Sequence, residues 1–288
     1  MIATANDKRL VRNKALRRFL RNPGTVLGSA LALLLLLVAV FAPQISGDPL
    51  AQDLAVRLQP PSAEHLLGTD QLGRDVWSRV VHGSRISLRI GLTVVGVALL
   101  LGGFIGLVAG MFGGLVDEVA MRITDIFFAF PALILAMAIA GALGPSLGNL
   151  MIAVAAVTWP YYARLIRAQV LSLKTLDFVD ASRALGASRW RQALRHVLPN
   201  AITPLLVQAS FDVGAAILTA AGLGFIGFGA QPPTPEWGAV VSETRSFISE
   251  APWASSAPAI AILITVLAFN LLGDGLRDIL DPRGRRRS

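Results

Sequence analysis

The sequence predicts an all-α polytopic membrane protein with six transmembrane helices and both termini in the cytoplasm, and three observations carry that prediction. Apolar residues make up 54% of the chain and charged residues 15%, with a mean hydropathy of +0.61, far above an ordinary soluble domain. Apolar runs of spanning length recur at 25–45, 86–113, 119–142, 148–168, 201–229 and 256–276. Basic residues collect in alternate connections instead of along one face, so the net charge of +8 reports topology and not a nucleic-acid surface.

The chain opens with a basic tail over 1–24, in which Lys8, Arg9, Arg12, Lys14, Arg17, Arg18 and Arg21 face one acid, Asp7. The positive-inside rule holds this end in the cytoplasm. The first span has the basic flank and the small residue, Ala42, of a cleaved signal peptide. The length of the basic segment, an apolar run beyond the usual signal core, and Pro43 favour a retained helix. Residues 25–84 comprise this helix and an external loop, whose 46–85 stretch balances four arginines against five acids. The core domain follows over 85–280, and 281–288 is a second basic tail carrying Arg283, Arg285, Arg286 and Arg287.

On the second span, Gly102, Gly106, Gly110 and Gly114 recur every four residues, a pattern that lets two helix backbones approach closely in lipid. Whether the partner helix lies in the same subunit is open at this level. Arg122 and Asp125 are placed to pair at the start of the third span, as are Asp274 and Arg277 at the end of the sixth. Arg89 is a further ionisable residue at membrane depth. Asp212 alone sits well inside a span, and a proton-coupled carrier would bury a relay of such groups, so the energy source lies elsewhere. Gly222, Gly224, Gly227 and Gly229 end the fifth span and permit a bend beside a pathway. The 230–255 connection carries Arg245 against Glu236, Glu243 and Glu250, which puts it outside.

Several chemistries are excluded. The absence of cysteine removes disulfides, thiolate metal sites and cysteine nucleophiles, and three scattered histidines, His65, His82 and His196, do not make a metal cluster. No G-x-S-x-G, H-E-x-x-H or G-x-x-x-x-G-K-[ST] segment occurs, so the chain has no ATP-binding phosphate loop. Asp212 and Asp274 raise an intramembrane aspartyl protease. The "LLGDG" segment, however, has Leu271 where that motif wants glycine, and Phe211 stands where it wants tyrosine.

The connection between the fourth and fifth spans is the most informative segment. Arg164, Arg167, Lys174, Arg183, Arg189, Arg191 and Arg195 outweigh Asp177 and Asp180, so it faces the cytoplasm. Asp177 is expected to cap a short helix, Gly186 to turn the chain in a left-handed conformation, and Ser188 to cap a second helix ending before Pro199. Phe178, Ala181 and Leu185 share one face of the first helix; Trp190, Ala193, Leu194 and Val197 share one face of the second.

The spacing Asp180-Ala181-Ser182, three residues, Gly186, nine residues, His196, one residue, Leu198-Pro199 resembles the cytoplasmic "EAA" loop of ATP-binding cassette importer permeases. It departs from that pattern by Asp for Glu, Ser for Ala and His for Ile. Three further segments narrow the resemblance to the C-type permease subunit of dipeptide, oligopeptide and nickel importers: "HLLGTDQLGRDVWSRVVHGSRISL" at 65–88, "QPPTPEWG" at 231–238, and "ITVLAFNLLGDGLRDILDPR" from Ile264. Many members of that family carry an acid where this chain has Ala220 and Ala221.

The resemblance implies a type I importer permease fold in the bacterial inner membrane, heterodimeric with a B-type permease. It also implies two ATPase subunits that hold ATP and magnesium, an external solute-binding protein, and no cofactor on this chain. It assigns ATPase coupling to Asp180, Ala181, Ser182, Gly186, Leu198 and Pro199. The outer loops 46–80 and 230–255, with Glu236 and Trp237, are expected to receive the binding protein. Short peptides are the expected cargo, with nickel, glutathione and opines as alternatives; a secondary carrier and a protease rank behind the importer.

Overall fold

The computed structural model describes residues 22–280, so the 281–288 tail and nearly all of the 1–24 tail, with the charges that orient the chain, lie outside the described residues. Among the described residues the chain is helical, its only ladder pairing a single bridge between Thr69 and Asp75.

Helix α1 (Pro23–Val40) starts where Asn22 accepts hydrogen bonds from the backbone of Gly24 and Thr25, with proline in the first turn. The Asn22 amide also donates to Asp278 at 2.8 Å, tying α1 to the end of the last helix. After a single helical turn at Ala42–Ile45 and an outer segment that is irregular apart from a 3-10 turn at Leu54–Val56, α2 (Val76–Phe112) begins at Asp75, whose Oδ2 accepts from the Ser78 N–H at 2.8 Å. At about 55 Å it exceeds the roughly 30 Å hydrocarbon layer. The predicted 86–113 span is only its inner part, because the polar first turns are covered by the outer loops and not by lipid.

The predicted third span is not one helix. It is α3 (Gly114–Phe128) and α4 (Ala132–Leu143), bent by 89° at a break that contains Pro131. Proline supplies no N–H and disfavours helical geometry in the residue before it, so the apolar run cannot pass through as a straight rod. Helix α5 (Leu147–Leu173) is capped by Ser146 and packs centrally against α2. It is long enough to span but carries Trp159, Tyr161, Tyr162, Arg164 and Arg167, and among the described residues four helices qualify as spans by length and composition, or five with the bent pair. Of its polar load, Tyr162 is buried, and Arg164 and Arg167 are paired with Asp125 and Asp117 of α3.

The rest comprises α6 (Asp177–Ala184), α7 (Arg189–Gln192), a π-turn at Ala193–Val197, α8 (Leu198–Phe225), the short outer helix α9 (Trp237–Thr244) and α10 (Pro252–Leu280). One hydrophobic core joins α2, α5, α8 and α9 around Val94, Ala98, Leu150, Ile217, Leu223 and Trp237.

The glycine stripe of α2 faces α5. A Cβ at Gly102 or Gly106 would collide with the backbone oxygen of Trp159 or Ala163, and one at Gly110 would stand 2.7 Å from Val170 Cγ1. Gly114 does not belong to the stripe: it lies beyond the turn at Gly113, opens α3, and has nothing within 4 Å of a Cβ. The second glycine cluster ends α8 instead of bending it. Gly227 has φ +99°, its N–H reaches Gly224 O, and the Phe228 N–H reaches Leu223 O.

Candidate functional site

The cytoplasmic hairpin is built by local capping. Helix α6 follows Leu176, so Asp177 is its first helical residue and not its cap; Asp177 and Asp180 both sit in the first turn, where the helix dipole favours them. The helix stops in a Schellman arrangement, Gly186 N–H to Arg183 O at 2.9 Å and Ala187 N–H to Ser182 O at 3.1 Å, with Gly186 at φ +79°. Ser188 then caps α7, accepting from the Arg191 N–H at 3.4 Å.

The second helix does not end before Pro199. Within the π-turn the Leu198 N–H bonds to Ala193 O, which accommodates Pro199 in the first turn of α8. Arg189 to Phe225 is therefore one continuous 37-residue helix. Leu198 and Pro199 belong to its body, not to a loop.

Burial divides the hairpin into two faces. Val179, Ser182, Ala193 and Val197 are buried, the three apolar ones in a cluster with Leu107, Ile166 and Val170 of α2 and α5. Ala181 and Gly186 are exposed, as are Phe178, Leu185 (89% exposed), Trp190 and Leu194. The predicted first-helix face is thus the outward one. The predicted second-helix face is split, Ala193 and Val197 inward, Trp190 and Leu194 outward. Asp180 pairs with Arg183 at 3.1 Å, both exposed, and Trp190 packs against Phe112 of α2 at 5.2 Å between ring centroids. The result is a water-facing ridge of apolar and charged side chains fixed to the bundle from beneath.

The outer end corrects an expectation. Glu236 and Trp237 are each 1% exposed and present no docking surface. Glu236 caps α9 by accepting from the N–H groups of Gly238 (2.9 Å) and Ala239 (2.8 Å), and the Trp237 indole donates to Val80 O at 2.9 Å. Burial pushes the Glu236 carboxyl above the usual range, against the pull of those N–H donors. Beside them lies a cluster that sequence reasoning missed. Arg74 Nε meets Asp70 Oδ2 at 2.6 Å, and Glu243 Oε2 takes Arg74 Nη2 at 2.6 Å and Arg79 Nη2 at 3.1 Å. Arg79 is fully buried, with Nη1 3.6 Å from Asp70. The i, i+4 spacing of Asp70 and Arg74 was visible; Glu243 was not, being 169 residues from Arg74.

Within the bundle, Arg122 does not pair with Asp125. Asp125 meets Arg164, whose guanidinium lies 4.2 Å from the Phe128 ring centroid, and Asp117 holds Arg167 through bonds of 2.5 and 2.6 Å. No Asp274–Arg277 bridge forms among the described residues; both line a pocket with Asn22 and Thr25 that does not include Asp212. Asp212 accepts from the Tyr162 hydroxyl (2.6 Å) and from Gln208 Nε2 (2.9 Å). It lines an open cleft of about 820 Å³ between the α3–α4 bend, α5 and α8, together with Thr158, Tyr161, Gln208 and Thr219. Ala220 and Ala221 are buried and do not line it.

Comparison with known proteins converges on one kind of molecule. Residues 102–286 match the family model described as binding-protein-dependent transport system inner membrane component, and residues 10–61 match the N-terminal transmembrane domain of oligopeptide transport permease C. A probable D,D-dipeptide transport system permease of Escherichia coli K12 is 48% identical over 91% of this chain and 88% of its own length. A dipeptide transport system permease of Alkalihalophilus pseudofirmus is 45% identical over 94% and 89%. A glutathione transport system permease of Pectobacterium atrosepticum is 44% identical over 93% and 89%. Among solved structures, the MetNI methionine ABC transporter in an inward-facing conformation superposes with a TM-score of 0.58 at 19% identity, covering 70% of this chain and 96% of that one.

Proposed function

The chain belongs to the family of inner-membrane components of binding-protein-dependent transport systems, and we propose that it is the C-type permease of an ATP-driven importer of short peptides in a bacterial inner membrane. The observation that carries this reading is the continuous helix from Arg189 to Phe225. Its cytoplasmic end forms the exposed hairpin, and Gln208, Asp212 and Thr219 farther along line the cleft. A single continuous element that offers a docking ridge to a motor and walls a passage transmits motion with no chemistry of its own.

The partners follow from what each surface needs. The ridge of Ala181, Leu185, Gly186 and Trp190 would sit in a groove of an ATPase subunit, one of two that hold ATP and magnesium. Asp180, buried Ser182, Leu198 and Pro199 would set the ridge's angle and do not all touch the motor. The half-exposed polar wall of Thr158, Tyr161, Gln208 and Asp212 would be costly against lipid, which supports a second, B-type permease facing it across the passage. Outside, docking of the binding protein falls to exposed side chains such as Leu54, Leu66 and Ile248.

The peptide cargo rests on the dipeptide permeases among the relatives. Glutathione is the second reading, favoured by the Pectobacterium relative. The test is reconstitution of this chain with its B-type partner, ATPases and binding protein in vesicles, followed by uptake of labelled dialanine. Uptake should require every component and ATP, and glutathione should compete weakly. Ion-gradient-driven uptake by this chain alone would overturn the importer reading; nickel-chelate binding by the binding protein with no peptide affinity would overturn the cargo.

A further inference from the structure

Asp212 differs from the neighbouring membrane-level acids in what it is bound to. Asp117 and Asp125 of α3 each hold an arginine of α5. The two hydrogen-bond partners of Asp212 are neutral, the Tyr162 hydroxyl on one oxygen and the Gln208 amide on the other. Among the described residues no cationic side chain reaches it within ion-pair distance. A carboxylate midway along a membrane helix is expensive to keep without a counter-charge. Here it is half-buried on the wall of an open cleft, its two oxygens held in place, each with acceptor capacity to spare.

We propose that Asp212 is a seat for the α-ammonium group of the peptide as it passes through the cleft. This rests on the peptide-importer reading above and names the feature of the cargo that this chain recognises. A resident arginine would neutralise the seat permanently, whereas neutral donors orient the anion and leave its charge for a cation that arrives and leaves. Tyr161 lines the same cleft and supplies an aromatic ring, a second group that attracts ammonium. A divalent metal ion is a poor occupant, because no group of three His, Asp or Glu side chains gathers among the described residues.

The test compares Asp212→Asn with Asp212→Glu in the complete reconstituted complex. Asparagine keeps the shape, and the Gln208 amide can turn over to preserve both hydrogen bonds, so only the charge is lost. Dialanine uptake per ATP hydrolysed should fall about tenfold or more, as expected for losing a hydrogen bond to a charged group, and Asp212→Glu should restore most of it. Parent-level uptake in Asp212→Asn would overturn the seat, as would an equal fall in uptake and binding-protein-stimulated hydrolysis, which marks a structural role. Failure of the unsubstituted complex to import any dipeptide would defeat the peptide reading itself, and this is seen before any variant is compared.

Discussion

Gly186 has φ +79° and nothing within 4 Å of where a Cβ would stand, so any loss on substitution comes from the backbone and not from crowding. A side chain in the left-handed region costs about 1–2 kcal/mol, and asparagine tolerates it best. Gly186→Val should therefore reduce both peptide uptake and co-purification of the ATPase, while Gly186→Asn keeps most of each; equal losses would remove the turn's conformation as the cause. This turn and the Ser188 cap were legible in the sequence because capping depends on residues a few positions apart. The burial of Trp237 was not, since Val80 and Gly83, which receive its indole, lie more than a hundred residues earlier. Trp237→Ala should destabilise the protein by about 3–5 kcal/mol, seen as a lower melting temperature in detergent. An unchanged melting temperature with weakened binding-protein affinity would return Trp237 to a docking role.

Between elements, α2 and α5 approach closely along the glycine stripe. Gly106→Leu should force the helices apart and lower the melting temperature sharply, an overpacking cost of at least about 1–3 kcal/mol. Gly103→Leu, where nothing lies within 4 Å, is the matched control and should leave it near the parent value. An equal response from both would mean that helix propensity, not packing, is being read. The four-residue glycine spacing announced this contact for Gly102, Gly106 and Gly110 and misled at Gly114, because spacing carries no information about where a helix stops and Gly113 stops this one. The bend at Pro131 was likewise written in "FAFPAL", but an apolar run satisfies the hydropathy of a span whether or not it is straight. The same blindness hid the outer turns of α2, which are polar because protein covers them.

At the scale of the whole molecule, Asp70, Arg74, Arg79 and Glu243 pin the outer loop before α2 to the end of α9. Removing one member leaves a buried charge without its counterpart, at a cost of about 3 kcal/mol or more. Arg79→Met should lower the melting temperature accordingly, and Arg79→Met with Asp70→Asn should recover part of the loss. Strict additivity of the two changes would show that the pair does not interact. The 37 residues from Arg189 to Phe225 set the mechanics of everything between the two ends of the bundle. They form a beam of about 55 Å, so a tilt of about 5° swings one tip by about 5 Å relative to the other. On the importer reading above, a push at the cytoplasmic tip would be carried along this helix to the residues that line the cleft. The π-turn is one elbow of the beam, with Pro204 a second break in its bonding, and the extra residue of the π-turn sets the angle about the long axis at which the hairpin leaves it. Deleting Leu194 should turn that elbow into regular helix and rotate the hairpin by about 100° against the cleft, leaving a protein that still folds into the membrane while, in the reconstituted complex, hydrolysis by the partner ATPases no longer drives uptake.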